Sequence, residues 1–149
     1  MSGARTRVLA IDYGERRIGL AVSDPTRTIA SPAGFVTRRP GKRPPVAELL
    51  RQIESHEANE VVLGLPLNGA GDETDRTREV RQIAVQLEAR GGVVVRLVDE
   101  RYTTAAALRA IRTMEGSTRG RKGDVDALAA CILLQHALSL PPASATTEL

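Results

Sequence analysis

"LAIDYGERRIGLAVSD", residues 9–24, decides the fold. An apolar strand runs into a lone carboxylate at Asp12, turns through "YGER", and leaves as a second apolar strand. Both arms are rich in Val, Ile, Leu and Ala, and Gly14 is able to supply a positive φ in the turn. The stretch therefore reads as a hairpin of 7–12 and 17–24. An Asp at a strand end is an ordinary turn former. It is also where a fold can hold a charge that chemistry needs, and the rest of the chain has to decide between the two.

Working outward, "TIASPAGFVTR" (28–38) is a third strand, with Pro32 marking it as an edge or as irregular there. "VAELLRQIESHEAN" (46–59) has apolar residues at 46, 49, 50 and 53, the spacing of a helix. "EVVLGLP" (60–66) is a short buried strand, and 74–92 is a helix that Gly91 stops. "VVVRLVDE" (93–100) is another strand, 103–114 a helix, 113–123 a flexible connection and 124–140 a long, mostly apolar helix. Three antiparallel strands followed by strands alternating with helices predict an α/β fold, a mixed sheet with helices on its faces. The expected organisation is one domain over 1–140 and a disordered tail over 141–149.

Composition narrows the function. The chain has 149 residues, enough for a single core. Aromatics make up 2%, so the core is aliphatic and a stacking platform of the single-strand-binding kind is disfavoured. The net charge of +3 is weak evidence for a polyanionic partner, whereas "RRPGKR" (38–43) and "RGRKG" (119–123) are local basic clusters that read equally as solvated loops. Cys131 is the single cysteine, which excludes a disulfide framework and a cysteine-rich metal site and leaves it as core filler. The N-terminus lacks the apolar segment of a signal peptide, and no apolar run reaches membrane-spanning length, so the expected location is cytoplasmic, with no membrane partner.

In sheets of this kind, sites gather at the carboxyl ends of parallel strands. Three such ends carry polar groups: Asp12, the loop "GLPLNG" (64–69), and "DER" (99–101). The last helix adds Asp124, which a helix N-terminus explains, and Asp126, whose i+3, i+4 and i+7 neighbours are Ala129, Ala130 and Leu133. A carboxylate on that apolar row has to be paired or bound to a cation. Acids crowded together raise each other's pKa, and a hard divalent cation, Mg²⁺ or Mn²⁺, removes that cost. Along 93–100, Glu100 and Asp99 face opposite sides of the strand, and periodicity alone does not say which side carries the site.

The segments "IDYGERRIGLAVSD", "VVLGLPLNG", "VDERYTT" and "KGDVDALAACILLQ" resemble, in order, the signature segments of the YqgF/RuvX family. That family is associated with Holliday junction resolution and pre-16S rRNA cleavage. The resemblance implies a ribonuclease H-like fold with a five-stranded mixed sheet. It also implies a nuclease centre of Asp12, Glu100 and Asp126 holding Mg²⁺ or Mn²⁺, and it takes Glu100 over Asp99 by analogy. Asp124 or Asp24 are possible extra ligands. Gly14, Asn68, Arg101 and Lys122 follow as expected substrate contacts. The expected partner is nucleic acid, an RNA precursor or branched DNA, bound by a monomer or a homodimer. His56 and His136 have no assigned role. Two alternatives stand beside the nuclease. One is the phosphate-binding half of an actin-like ATPase, which the chain's length disfavours. The other is a catalytically silent nucleic-acid-binding or protein-binding module.

Overall fold

The structure is a computed structural model that describes residues 6–14, 16–38, 43–67, 70–100 and 122–140, with side chains from Val125 on in the last segment. Five strands form one sheet: β1 (Arg7–Tyr13), β2 (Arg17–Ser23), β3 (Ala30–Thr37), β4 (Ala58–Leu65) and β5 (Val94–Asp99). Three described helices accompany them: α1 (Val46–Ser55), α2 (Asp75–Gly91) and α3 (Lys122–Leu138). The order across the sheet is β3-β2-β1-β4-β5. β1, β2 and β3 are antiparallel, and β4 and β5 run parallel to β1. This is the mixed sheet that the sequence pattern predicts. The expected helix over 103–114, the connection before α3 and the tail over 141–149 lie outside the described residues.

Strand alternation divides the core into two layers. Leu9, Ile11, Ile18, Leu20, Leu63 and Leu97 turn to one face, where α1 brings Leu49 and Ile53 and α2 brings Ile83 and Leu87. Val8, Ala10, Ala21, Val62 and Val98 turn to the other, against Ala129, Ala130, Leu133 and Leu134 of α3. The alanines on both sides of the second layer let α3 lie close to the sheet. Cys131 packs half-buried against this layer, as a small apolar side chain.

Three details differ from the sequence reading. Helix α1 ends at Ser55, not at 59, because Glu57 adopts a left-handed conformation at φ 56° and the chain enters β4 at Ala58. A non-glycine residue in that role gives no sequence signal. Helix α2 runs through Gly91, and it is Gly92, at φ 65°, that ends it. Its other end is fixed by a reciprocal cap between Thr74 and Thr77. Finally, the described glycines with positive φ are Gly34, Gly71 and Gly92, so the turn after β1 does not draw on Gly14 for one.

Pro32 does sit on the edge strand, as expected. The irregularity lies just beyond it. Ala21 of β2 is opposite Pro32, and Gly19 is opposite Phe35. Two steps along β2 are thus matched by three along β3. The extra residue is a β-bulge, with Gly34 at φ 87° inside it.

Candidate active site

Asp12 is the next-to-last residue of β1 and is 1% exposed. It shares the sheet face of Val8 and Ala10, the face covered by α3. Directly opposite it on β2 is Gly19. A Cβ at Gly19 would stand 2.0 Å from the backbone oxygen of Asp126 and 2.5 Å from its carbonyl carbon. The first turns of α3 therefore sit on the bare backbone of β2, one strand away from Asp12. The Asp126 side chain is 1% exposed, and Arg17 Nε donates to its Oδ2 at 2.8 Å.

Glu100 follows β5 directly and is 5% exposed. Val98 packs in the α3 layer and Leu97 in the opposite one, so alternation carries Glu100 to the α3 face and Asp99 to the other. The position of α3 thus sets Glu100, and not Asp99, on the face that Asp12 and Asp126 share. The Glu100 carboxylate lies over Gly64 of β4, where a Cβ would be 2.3 Å from Oε2 and 3.3 Å from Leu133 Cδ2. Gly64 follows Leu63, which is registered with Ile11, the residue before Asp12. Asp12, Glu100 and Asp126 thus come to one end and one face of the sheet from three different elements.

Both cradles are glycines inside strands, and that was the available signal. An isolated strand glycine marks a close approach of another group. "RIGLAVS" and "VVLGLP" each contain one, and sequence reasoning passed over both, along with Arg17. A direct test follows for Gly64. Gly64→Ala is expected to push the Glu100 carboxylate aside, because its flexible end yields more easily than backbone. The expected result is a loss of activity of tenfold or more with a stability cost of about 1–3 kcal/mol, read by cleavage assay and thermal melting together. Full activity would show that the position of Glu100 is immaterial.

The opposite face of the same sheet end is occupied differently. Tyr13 Oη donates to Glu79 Oε2 at 2.7 Å, and Arg38 donates to both Glu79 oxygens at 2.8 and 2.9 Å while lying 4.5 Å over the Tyr13 ring. Burial first, then the Glu79 hydrogen bond, holds the Tyr13 hydroxyl protonated well above the usual phenol range. Arg38 and Arg76 also donate to the carbonyls of Gly14 and Tyr13, at 3.3 and 2.9 Å. This corrects one expectation: Arg38, the first residue of "RRPGKR", is a fastener of the β1 end, with a side chain 13% exposed. Gly14 is itself buried.

Asp24 is excluded as an extra ligand by position, since it follows β2 at the end remote from Arg17. Its carboxylate accepts from the backbone of Ile29 and Thr28 and from the Thr26 hydroxyl, which lowers its pKa to about 2 and marks a turn former. Asn68 and Arg101 lie outside the described residues, as do the side chains of Lys122 and Asp124.

Buried carboxylates are hard oxygen donors suited to a divalent cation, and the cradles over Gly19 and Gly64 fix the elements that carry them. The donor chemistry fits. As the side chains stand, no three His, Cys, Asp or Glu among the described residues close around one point, and Asp126 is engaged by Arg17.

Comparison with known proteins agrees with this architecture. The chain is 40% identical over 134 residues to a Koribacter versatilis protein named "Putative pre-16S rRNA nuclease", covering 90% of this chain and 87% of that one. It is 41% identical over 134 residues to a Dictyoglomus thermophilum protein of the same name, covering 89% and 94%. Among solved structures, Thermus thermophilus RuvC in complex with a Holliday junction substrate superposes with a TM-score of 0.54 at 16% identity, covering 89% of this chain and 93% of that one. That likeness establishes a shared ribonuclease H-like fold. A family model described as "RuvX: Holliday junction resolvase" matches residues 6–140, and the chain accordingly belongs to the RuvX family.

Proposed function

We propose that this protein is a divalent-metal-dependent nuclease that hydrolyses phosphodiester bonds in structured RNA, with 5′-end processing of pre-16S rRNA as its task in the cytoplasm. One observation carries the reading: three buried carboxylates, Asp12, Glu100 and Asp126, are delivered to one sheet end by β1, by the residue after β5 and by α3. Burying three acids together costs desolvation and mutual repulsion, and a nuclease centre is what such a cost serves. The names carried by the relatives supply the substrate.

In this reading Asp12, Glu100 and Asp126 hold Mg²⁺ or Mn²⁺. When bound, such an ion polarises the phosphate, lowers the pKa of a water and steadies the leaving oxygen. Arg17 positions Asp126 and balances its charge until that carboxylate is needed as a ligand. Arg38 and Arg76 hold the carbonyls that follow Asp12 and so fix the direction in which its carboxylate points. Asn68, Arg101 and Lys122 contact the substrate, the Arg as a two-pronged phosphate clamp and the Lys as a point charge, whereas Gly14, expected as a further contact, is buried with its carbonyl held by Arg38 and is out of the substrate's reach. Among the described residues no helix is long and apolar enough to cross a membrane.

The family description favours a second reading, cleavage of a four-way DNA junction. Junction cleavage needs two centres related by symmetry, hence a homodimer, whereas precursor trimming is compatible with a monomer. Purified protein incubated with Mg²⁺ or Mn²⁺ and either a 5′-extended 16S rRNA precursor or a four-way junction separates them. The expected result is shortening of the precursor, abolished by EDTA. Cleavage of the junction alone would install the second reading. Cleavage undiminished by EDTA, or none of either substrate with metal, would overturn the metal-dependent nuclease.

A further inference from the structure

We propose that Phe35 stacks on an unpaired nucleobase of the bound strand. This deepens the nuclease reading and rests on it for the identity of the ligand.

Phe35 is the only phenylalanine in the chain, and it is 46% exposed. Isolated exposed apolar residues are ordinary. What sets Phe35 apart is how it comes to be exposed. Ala33 and Val36 both pack into the α1/α2 layer, although they are three residues apart. Uninterrupted alternation would put them on opposite faces. Continuing the pattern of Pro32, which is opposite Ala21 of the α3 layer, would turn Phe35 towards the α1/α2 core and Val36 away from it. The bulge at Gly34 reverses this. It sends the smaller Val36 inward and the large aromatic outward, at the cost of one unpaired residue and a glycine at φ 87°. A core short of aromatics would gain from burying Phe35, and the backbone is built to prevent it.

The direction in which it points is specific. Phe35 is registered with Gly19, and Gly19 with Asp12. Residues directly opposite in a sheet share a face, so Phe35 stands on the α3 side, in the same transverse row as the first acid. At about 4.8 Å per strand, its Cα lies roughly 10 Å from that of Asp12. The next residue on that face, Thr37, is opposite Arg17, and Arg16 beside it is exposed. A flat apolar ring in the row of Asp12, two residues along the strands from Arg17 and its partner Asp126, matches a nucleotide: base against the ring, phosphates towards Arg17 and the acids. An apolar protein surface would be poorly served by those neighbours. One ring is not a platform, and the low aromatic content is consistent with a single stacking position that sets register on the strand.

The chain contains no tryptophan, so Phe35→Trp places a unique fluorophore at the position. Binding is read in EDTA, without cleavage, using a single-stranded oligoribonucleotide and a fully paired duplex of equal length. The Phe35→Trp emission is expected to be quenched by the single strand and not by the duplex. Phe35→Ala is expected to weaken single-strand binding about fivefold or more and leave duplex binding unchanged, with Phe35→Tyr restoring it and Phe35→Leu not. Emission that ignores the single strand, or Phe35→Ala binding equal to the parent, would overturn the proposal. So would a Phe35→Ala variant that changes only its oligomeric state by sedimentation, since the ring would then face a second copy. Quenching in a protein that cleaves nothing would sink the nuclease reading alone, and normal cleavage with silent emission would sink stacking alone.

Discussion

Asp12→Asn is expected to reduce metal-dependent cleavage about a thousandfold or more while leaving the fold intact. The substitution keeps shape and removes charge. Losing several kcal/mol of metal-borne transition-state stabilisation corresponds to that factor at about 1.4 kcal/mol per tenfold. Because Asp12 is 1% exposed, replacing its carboxylate by a neutral amide of the same shape removes the cost of burying a charge, so the melting temperature should hold or rise. Activity and stability moving in opposite directions would distinguish a functional carboxylate from a structural one. Asp99→Asn is the matched control. Asp99 points to the other face of the sheet, and its variant should cleave within a few-fold of the parent. Undiminished cleavage by Asp12→Asn would place the chemistry elsewhere.

Gly19→Ala is expected to be the most damaging glycine-to-alanine change among the described residues. The new Cβ would meet the backbone carbonyl of Asp126, not the yielding end of a side chain. Either β2 or the start of α3 has to move, and with it the Arg17–Asp126 ion pair. Overpacking of a rigid contact costs about 3 kcal/mol or more. In a chain of this size that is a fall of roughly 6–12 °C in melting temperature, measured by circular dichroism. Cleavage should fall with it even at temperatures where the protein remains folded, because Asp126 is displaced. An unchanged melting temperature would mean that α3 is not seated on β2 as described.

The sheet was legible in the sequence because its periods are clean. The hairpin around "YGER", the apolar runs of β4 and β5 and the spacing of α2 each follow one rule, and each is found where that rule puts it. Asp126 was also legible, as a carboxylate on an apolar helical row, and it is buried. What escaped is what depends on two elements meeting. The face that carries the site depends on where α3 packs, which no strand encodes by itself. Arg17 reads as one of several surface arginines until α3 brings Asp126 to it. The bulge at Gly34 inverts the alternation of β3, and a glycine after an alanine gives no period to detect. The ends of α1 and α2 were misjudged for a local reason: Glu57 takes a conformation glycine usually takes, and of two adjacent glycines the second is the one that turns.

The seating of α3 on β2 also has a consequence in time. Arg17 and Asp126 are separated by 109 residues of chain. At ordinary rates of protein synthesis, on the order of 5–20 seconds pass between the emergence of the first hairpin and that of the helix that completes the cluster. During that interval the nascent protein lacks Asp126, and under the proposed function it does not yet cut. Under that proposal the enzyme is born inactive beside ribosomal RNA and becomes competent only after α3 has docked on β2.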